Sequence, residues 1–494
     1  MSAAPPWPGA ATPRVVVVGG GIAGLAAARA IRTQVPGAEV IVLERSDRPG
    51  GNIRSEWIDG FLCEGGPDGF LDNAPATLEF VEEIGLSSAL LPSRDEARRR
   101  YIFRRHRLHE VPLSPGAFLT SRLLSTTGKL RVMAEPLAER APRHDESILH
   151  FARRHIGREA AQVLVGSMVS GIFAGDASHL SLRACFPKMY EMDERYGSLV
   201  RAMLAKRREK RASNGVGAPA GRLTSFTGGM EDLIRGAVAS LGHGVRTGRR
   251  VVALRHRGPG YPGPRPVGAR AFTVDCEDQR IEADAVVLAG PAHDSADLIR
   301  GFSPAVAALL GAIETAPLAV ACLGYDAAAL AADRGPLDGF GFLVPRGEGP
   351  RILGALWETS IYDGRAPEGK ALLRVMIGGA LDPHAVELSD AQLLRTVCDD
   401  LERTMHLRLA PEFVHLVRHR RGIPQYTIGH LGRLERIEAA LTAHPGLFVA
   451  GNAYHGVSVN ACIENARRVA TLVAGHLDAQ ERANDYPVAL TGFR

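Results

Sequence analysis

Cysteine is scarce and scattered in this chain of 494 residues. The six cysteines lie far apart, and no two of them form a C-x-x-C pair. This usage argues against a disulfide framework and against a zinc site, and it is typical of a reducing compartment. No group of His, Cys and Asp has the spacing of metal ligands, so we expect no bound metal.

Long apolar runs are missing as well. No uncharged apolar run reaches the roughly 18 residues that a membrane-spanning helix requires. Residues 1–13 are rich in Pro and Ala, and they lack the basic start and apolar centre of a secretory signal. We therefore expect a cytoplasmic protein of two or three domains in which any membrane contact is peripheral.

Acidic residues are few in the middle of the chain. Residues 93–222 contain 25 Lys and Arg against 13 Asp and Glu, an excess of +12 in a chain whose net charge is +5. Within this section, apolar residues recur at helical intervals from Phe118 to Leu137, with basic residues between them. Such a basic amphipathic helix pair packs against a core or lies on an anionic surface. Lipid headgroups, nucleic acid, an acidic small molecule or plain solvent could all face the excess charge.

Glycine marks the first functional motif. Val15–Val18 is typical of a buried parallel strand, and Gly19, Gly21 and Gly24 follow it in the pattern G-x-G-x-x-G. The first glycine makes a tight turn, the second admits a pyrophosphate, and the third lets the next helix pack closely. A second apolar run ends at Glu44, where an acid can bind ribose hydroxyls. This combination predicts a dinucleotide site.

Three later segments favour a flavin dinucleotide over a nicotinamide one. Gly50–Gly51 supplies a second close backbone approach, and the nearby arginines can offset pyrophosphate charge. The loop at residues 64–67 contains two glycines and a proline, and it is suited to running under a flavin ring. A turn after Gly451 leads into a helix near Asn460, whose positive end can stabilise a reduced flavin.

Five further segments resemble a known family. The glycine clusters and the C-terminal turn resemble the flavoproteins that include amine oxidases, phytoene desaturases and protoporphyrinogen oxidases. The further segments resemble the oxygen-dependent protoporphyrinogen oxidases in particular, most of all the myxobacterial type. The resemblance spans residues 14–476, and the segments that carry it are 170–176, 181–187, 339–345, 423–430 and 451–460.

The resemblance implies an α/β fold in three domains. These are a Rossmann-like FAD-binding domain, an α+β substrate domain built on an antiparallel sheet, and a helical membrane-binding domain. The FAD-binding domain would comprise three stretches of chain, 1–90, 215–297 and 438–494. The helical domain would comprise 91–214, and the substrate domain 298–437.

The resemblance also assigns site residues. It implies that FAD is bound non-covalently, through Gly19, Gly20, Gly21, Ile22, Ala23, Gly24, Glu44, Arg45, Gly51, Asn52, Gly66, Pro67, Asp68, Gly69, Val251, Val457, Ser458 and Val459. It implies that Arg100 pairs with a substrate propionate, and that the macrocycle lies between Phe340, Gly341, Leu343 and Met376. No residue is a certain catalyst, but Asp68 is a candidate for orienting a pyrrole N–H, although it could equally cap a turn.

The implied reaction is the six-electron oxidation of protoporphyrinogen IX to protoporphyrin IX in haem biosynthesis. It would take three flavin cycles, with hydride passing to FAD and dioxygen becoming hydrogen peroxide. The implied partners are the porphyrinogen, dioxygen, an anionic membrane surface on the cytoplasmic face of the inner membrane, ferrochelatase as the next enzyme and a second copy of the chain, but no nucleic acid.

Alternative hypotheses remain at this point. A relative that oxidises coproporphyrinogen III, with four propionates, would need more cations around the slot. An amine oxidase-like enzyme is more remote, because such enzymes usually have an acid where this chain has Asn452. His430 and His455 are possible bases, although a lone histidine is more often structural.

Overall fold

A computed structural model describes residues 12–139, 144–212, 221–257 and 270–485. The predicted boundary at 214/215 lies outside these ranges, as do residues 1–11 and 486–494. Within the described ranges, no helix is both long enough and apolar enough to cross a membrane.

A five-stranded parallel sheet holds the first glycine motif. Val15–Val17 are fully buried at its centre. The helix Ile22–Gln34 follows the motif and packs against the long C-terminal helix Val459–Asp485. Parts of the chain far apart in sequence therefore share one core. In spatial order the strands are Val245–Arg246, Glu39–Leu43, Arg14–Val18, Ala285–Leu288 and Leu447–Val449.

A seven-stranded mixed sheet forms the second large layer. One of its faces packs on the helix Asp390–Met405, and the other packs on the hairpin of Ser55–Ile58 and Phe61–Glu64. We call the second face the hairpin side. All neighbouring strands are antiparallel except one pair, Gly341–Leu343 with Tyr101–Arg104. In spatial order the strands are Phe413–Pro424, Thr315–Asp326, Lys370–Gly378, Ile352–Trp357, Gly341–Leu343, Tyr101–Arg104 and Arg107–Glu110.

The remaining elements are two small sheets and the helices. One small sheet is antiparallel, with strands Val251–His256, Phe272–Cys276 and Arg280–Ala283. The other joins Phe70–Leu71, Leu223–Phe226 and Leu90–Pro92. The other α-helices are Pro75–Glu83, Pro115–Thr120, Thr126–Met133, Ile148–Ala160, Ser167–Phe173, Leu182–Cys185, Pro187–Tyr196, Leu199–Ala212, Glu231–Leu241, Ala292–Ile299, Pro304–Gly311, Ala327–Arg334, Glu358–Ile361 and His430–Leu441.

The basic middle section is mostly helical, but it does not begin that way. Tyr101–Arg104 and Arg107–Glu110 form a hairpin at the edge of the seven-stranded sheet. The sequence analysis assigned residues 91–214 to a helical domain and predicted no strand here. The short apolar stretch Tyr101–Phe103 is flanked by arginines on both sides. Tertiary pairing with Gly341–Leu343 makes it a strand.

Buried charges tie these helices together. Arg154 donates to Glu146 at 2.6 Å and also to Asp193. His155 contacts Glu135 at 2.7 Å and Asp193 at 3.1 Å. Each of these groups is buried and paired, so the cluster fixes the packing of the section at the cost of desolvating several charges.

Candidate active site

The first glycine turn is built for close backbone contact. Gly19 adopts a φ of +114°, and a Cβ at Gly24 would overlap the carbonyl oxygen of Gly19. Among the described residues, no side chain caps the helix that begins at Ile22. Its first N–H groups are therefore available to an anion, and the helix dipole favours one there.

The second glycine loop lies against the first. Gly50 N donates to Gly20 O at 2.8 Å, and a Cβ at Gly51 would come within 3.4 Å of Gly21 Cα. Arg48 donates to the carbonyl of Gly51 and pairs with Glu231, so this arginine holds the loop itself. Because both loops lack side chains at these positions, their backbones lie in direct contact beside the start of the helix Ile22–Gln34.

Glu44 is placed at the end of its strand as expected, but its carboxylate already has partners. Its two oxygens accept hydrogen bonds from Gly20 N and Ser46 N, each at 2.8 Å. The backbone carbonyl of Glu44 accepts a hydrogen bond from Arg249 N. This bond brings the start of the strand Val251–His256 next to Glu44. Arg45 pairs with Asp294 at 2.9 Å. Binding of ribose by Glu44 and of FAD by Arg45 stay predictions.

The C-terminal turn is held by a tyrosine from the segment 423–430. The Tyr426 hydroxyl donates to Asn452 O at 2.6 Å and accepts from Gly456 N at 2.8 Å. His430 stacks on Tyr426 with ring centres 4.1 Å apart. Burial lowers the pKa of His430 to about 4. A neutral, stacked histidine of this kind supports the turn, so we assign it a structural role and not that of a base.

Beyond this turn the C-terminal helix starts with a capped end. Ser458 Oγ accepts from Ala461 N at 3.1 Å, and Val459 is the first helical residue. Val457 packs against the apolar cluster of the helical section. His455 contacts Arg468 and Glu438 at the surface, which removes it from the candidate bases.

The loop at 64–69, called here the flavin loop, is packed tightly against its neighbours. A Cβ at Gly66 would overlap Asn52 O, and Asn52 itself donates to Gly422 O at 3.3 Å. Arg374, from the centre of the seven-stranded sheet, donates to Gly66 O. This places the flavin loop over the hairpin side of that sheet.

The substrate slot predicted from the resemblance lies beside this loop. Phe340 and Met376 pack against one buried cluster that contains Ile361 and Tyr362. The Arg100 guanidinium lies 5.0 Å from the centre of the Phe340 ring. Three of the predicted substrate residues are thus brought together from distant parts of the chain.

The other two predicted slot residues have evident packing roles. Gly341 has a φ of +127°, and a Cβ there would overlap Ala355 O in the neighbouring strand. Leu343 faces the helix Ser167–Phe173, where a Cβ on Gly171 would come within 2.7 Å of its side chain. Leu343 therefore joins the sheet to the helical section.

Arg100 differs from the arginines around it. Arg98 pairs with Asp95 at 3.3 Å, and Arg99 pairs with Asp338 at 2.5 Å. Within the described part of the chain, Arg100 has no carboxylate partner. An exposed cation without a partner, lying over an aromatic ring, can receive a carboxylate from a ligand.

The sequence analysis missed a buried set of ionisable groups behind the flavin loop. Asp68 was predicted, but Glu358, Arg365 and Arg374 were not, and all four are buried together. Burial and the neighbouring Asp68 raise the pKa of Glu358 well above its ordinary value. One feature of the sequence could have indicated this buried set. Arg374 is a charged residue inside the apolar run Leu372–Ile377.

The geometry of the glycine turns fits a dinucleotide. The uncapped helix end at Ile22 offers donors to a pyrophosphate, and the absence of side chains in the two glycine loops lets a ligand approach their backbone closely. A parallel sheet whose first strand leads through a glycine turn into an uncapped helix is the arrangement of the dinucleotide-binding folds.

The chain belongs to the flavin containing amine oxidoreductase family, whose profile matches residues 22–474. It is an FAD-dependent oxidoreductase. The human protoporphyrinogen oxidase is 33% identical to it, over 93% of this chain and 98% of the human protein. The coproporphyrinogen III oxidase of Bacillus subtilis is 29% identical, over 92% of this chain and 96% of that protein. The crystal structure of a candidate protoporphyrinogen oxidase from Exiguobacterium sp. 255-15 superposes with a TM-score of 0.79 at 26% identity, covering 95% of this chain and 100% of that one.

Proposed function

We propose that this enzyme oxidises protoporphyrinogen IX to protoporphyrin IX. Six electrons leave the substrate in three cycles, and dioxygen is reduced to hydrogen peroxide. The observation that carries the proposal is the position of Arg100 at the edge of the apolar cluster of Phe340 and Met376, with no carboxylate partner in the described ranges. A porphyrinogen is a large apolar ring with propionates at its edge, and it matches such a slot.

The residues of the slot bind and orient, and they need no strong nucleophile. Arg100 pairs with a propionate, while Phe340 and Met376 hold the ring face. Bound FAD supplies the acceptor for a hydride from a meso carbon. The flavin loop, fixed by the bond from Arg374 to Gly66, sets where that acceptor lies relative to the ring. FAD is held without a covalent bond by the backbones of the glycine turns.

The charges around the slot favour two propionates over four. Arg98 and Arg99 are each committed to a carboxylate, as is Arg94, which lies 3.4 Å from Asp363. Coproporphyrinogen III would bring two additional carboxylates to the edge of the substrate slot. There, Arg94, Arg98 and Arg99 are already paired with carboxylates. The coproporphyrinogen hypothesis therefore stays second.

We also propose that the helical section docks on an anionic membrane. The short helix Glu135–Leu137 contacts both Thr126–Met133 and Leu199–Ala212, and all three elements expose apolar side chains. Leu137 is 82% exposed, and Met203 is exposed on the neighbouring helix, where Arg201 and Arg208 are also exposed. Apolar side chains surrounded by cations suit the interface of a bilayer with anionic headgroups.

Three further assignments are part of the proposal. The domain division given above is kept, with FAD bound by the three stretches 1–90, 215–297 and 438–494. The enzyme works at the cytoplasmic face of the inner membrane. A homodimer and delivery of product to ferrochelatase complete the predicted partners.

A direct comparison of substrates tests the proposed reaction. The purified flavoprotein is offered protoporphyrinogen IX and coproporphyrinogen III side by side, while porphyrin fluorescence and peroxide are followed together. We expect a higher kcat/KM for protoporphyrinogen and one peroxide for each pair of electrons removed. A preference for coproporphyrinogen, or turnover of neither porphyrinogen, would refute the proposal.

A further inference from the structure

The segment 425–430 lies between the seven-stranded sheet and the helical section. It continues directly from the edge strand of that sheet, which ends at residue 424. Its backbone is bonded to the helical section on one side. Ser181 N donates to Tyr426 O at 2.8 Å, and Ile428 N donates to His179 O at 3.0 Å. These bonds fix the backbone that carries Tyr426, whose side chain is fully buried.

The hydroxyl of Tyr426 bonds only to the C-terminal turn. It donates to Asn452 O at 2.6 Å and accepts from Gly456 N at 2.8 Å. Burial raises the pKa of this phenol, so the hydroxyl keeps the proton that it donates. His430, which stacks on Tyr426, contacts Tyr454 O with its Nε2 at 3.4 Å. Two stacked side chains therefore hold three backbone groups of this turn.

The C-terminal turn lies at the same edge of the parallel sheet as the first glycine turn. A Cβ at Gly19 would come within 3.1 Å of Ala289 O, and a Cβ at Gly451 would come within 3.9 Å of the same atom. Both glycines follow the carboxyl ends of parallel strands, and dinucleotides bind at that edge of such sheets. The helices that begin at Ile22 and Val459 pack on each other, and each starts from this edge.

The C-terminal turn is packed directly on the start of the C-terminal helix. Gly456 has a φ of +111°, and a Cβ there would come within 2.5 Å of the Cβ of Ala461. The turn therefore sets where the first N–H groups of this helix lie. The N-terminal end of a helix carries partial positive charge, and a reduced flavin is more negative than an oxidised one. A helix start held beside a flavin binds its reduced form more tightly.

We propose that Tyr426 is a positioning residue that raises the reduction potential of the bound flavin, an inference that rests on the FAD contacts of residues 457–459 within the proposed function. Tyr426 acts through the turn, because its hydroxyl is buried and is bonded to backbone groups at both ends of it. By fixing Asn452 O and Gly456 N, the hydroxyl holds the start of the C-terminal helix in place, and the reduced flavin gains more from this than the oxidised flavin does.

The reduction potential of the purified flavoprotein tests this role without any porphyrinogen. The flavin and a reference dye are reduced together in the absence of oxygen, and their absorbance gives the potential. Tyr426→Phe keeps the stacked ring but removes both hydrogen bonds to the turn. We expect the affinity for reduced FAD to fall about tenfold more than the affinity for oxidised FAD. For a two-electron couple, this ratio lowers the potential by about 30 mV.

Tyr454→Phe is the matched control. Tyr454 is a buried tyrosine of the same turn, but its side chain packs in the apolar core of the parallel sheet. Within the described ranges, its hydroxyl donates to no backbone group of the turn. Its potential should equal that of the wild type. Gly456→Ala is a second test, because its Cβ would crowd Ala461 and displace the turn, so it should lower the potential as Tyr426→Phe does. Thermal unfolding shows whether each variant is folded.

The outcomes separate this inference from the proposed function. A wild-type potential in Tyr426→Phe, or equal shifts in the two Tyr→Phe variants, would overturn the role of Tyr426. If Tyr426→Phe does not retain FAD while Tyr454→Phe does, an unchanged potential in Gly456→Ala would overturn it. A wild type that binds FAD but does not oxidise protoporphyrinogen would refute the proposed function instead, and the potentials would still decide what Tyr426 does.

Discussion

The guanidinium of Arg100 lies 5.0 Å from the centre of the Phe340 ring, although the two residues are distant in sequence. The contact orients a long and exposed side chain, because a cation over an aromatic face is attracted to the ring. Among the residues that the structure describes, Arg100 has no carboxylate partner, whereas the neighbouring Arg98 and Arg99 are each paired with an aspartate.

Replacing Arg100 should weaken substrate binding. We expect Arg100→Ala to lose about 1.5–3 kcal/mol of charged hydrogen bonding to a propionate. Under steady-state turnover this raises KM by about 10- to 150-fold, with flavin content unchanged. Arg98→Ala is the matched control, because Arg98 is exposed and already paired with Asp95. An unchanged KM in Arg100→Ala would remove this residue from the site.

The first glycine turn should not tolerate a methyl group. In Gly24→Ala the new Cβ would overlap the carbonyl oxygen of Gly19, so we expect the turn to open and FAD to be lost. The measurement is the ratio of flavin absorbance to protein after purification. The helical Gly432 has open space around its Cβ position, and Gly432→Ala should retain FAD with slightly higher stability. Full flavin content in Gly24→Ala would contradict this assignment.

Local patterns could predict the elements, but not every partner of their side chains. The run Leu372–Ile377 is a strand as expected, and its alternation turns Arg374 and Met376 to the hairpin side together. Nothing in the sequence indicates that Arg374 donates to Gly66 O, because this contact arises only when the two large layers pack. Tyr101–Arg104 was missed because arginines flank its short apolar stretch and one of its two partners, Gly341–Leu343, lies far along the chain.

The buried charges of the helical section should be essential to its stability. In Arg154→Met, Glu146 and Asp193 would lose their buried cation, so we expect a loss of about 3–5 kcal/mol in the free energy of unfolding. Urea unfolding followed by circular dichroism measures this loss. Arg153 is exposed one position earlier, and Arg153→Met should change stability by less than about 0.5 kcal/mol. Equal effects of the two variants would be inconsistent with this role for Arg154.

Glu64 should make the protein less stable as the pH rises. Burial raises its pKa from 4.5 in the unfolded chain to about 7 in the folded protein. The folded state thus holds the proton more tightly, and the stabilisation is full below pH 4.5 and lost as the pH rises through about 7. Glu64→Gln should remove this decline, which is up to about 3 kcal/mol.

Unfolding measured across this pH range checks the prediction. Glu56→Gln is the control on the same hairpin. The pKa of Glu56 is lowered, because hydrogen bonds and charge from Arg54 and His415 outweigh its burial, so its contribution changes below this window. The prediction fails if Glu64→Gln retains the wild-type slope.

The apolar side chains exposed on the helical section should carry membrane binding. Leu137 and Met203 lie on contacting elements of this section, and Leu137→Glu with Met203→Glu would place two negative charges at the bilayer surface. We expect the double variant to bind vesicles containing phosphatidylglycerol at least about tenfold more weakly. Two apolar side chains that would insert into the bilayer are lost, and the new charges repel the headgroups.

Binding of the wild type should also weaken with added salt, because salt screens exposed charges. It should weaken on vesicles of phosphatidylcholine alone, because these carry no net negative charge. Leu381→Glu, at an exposed leucine outside this section, should bind like the wild type. Sedimentation with vesicles measures all three proteins, and binding that ignores lipid charge, salt and the double substitution would rule out this surface as the docking site.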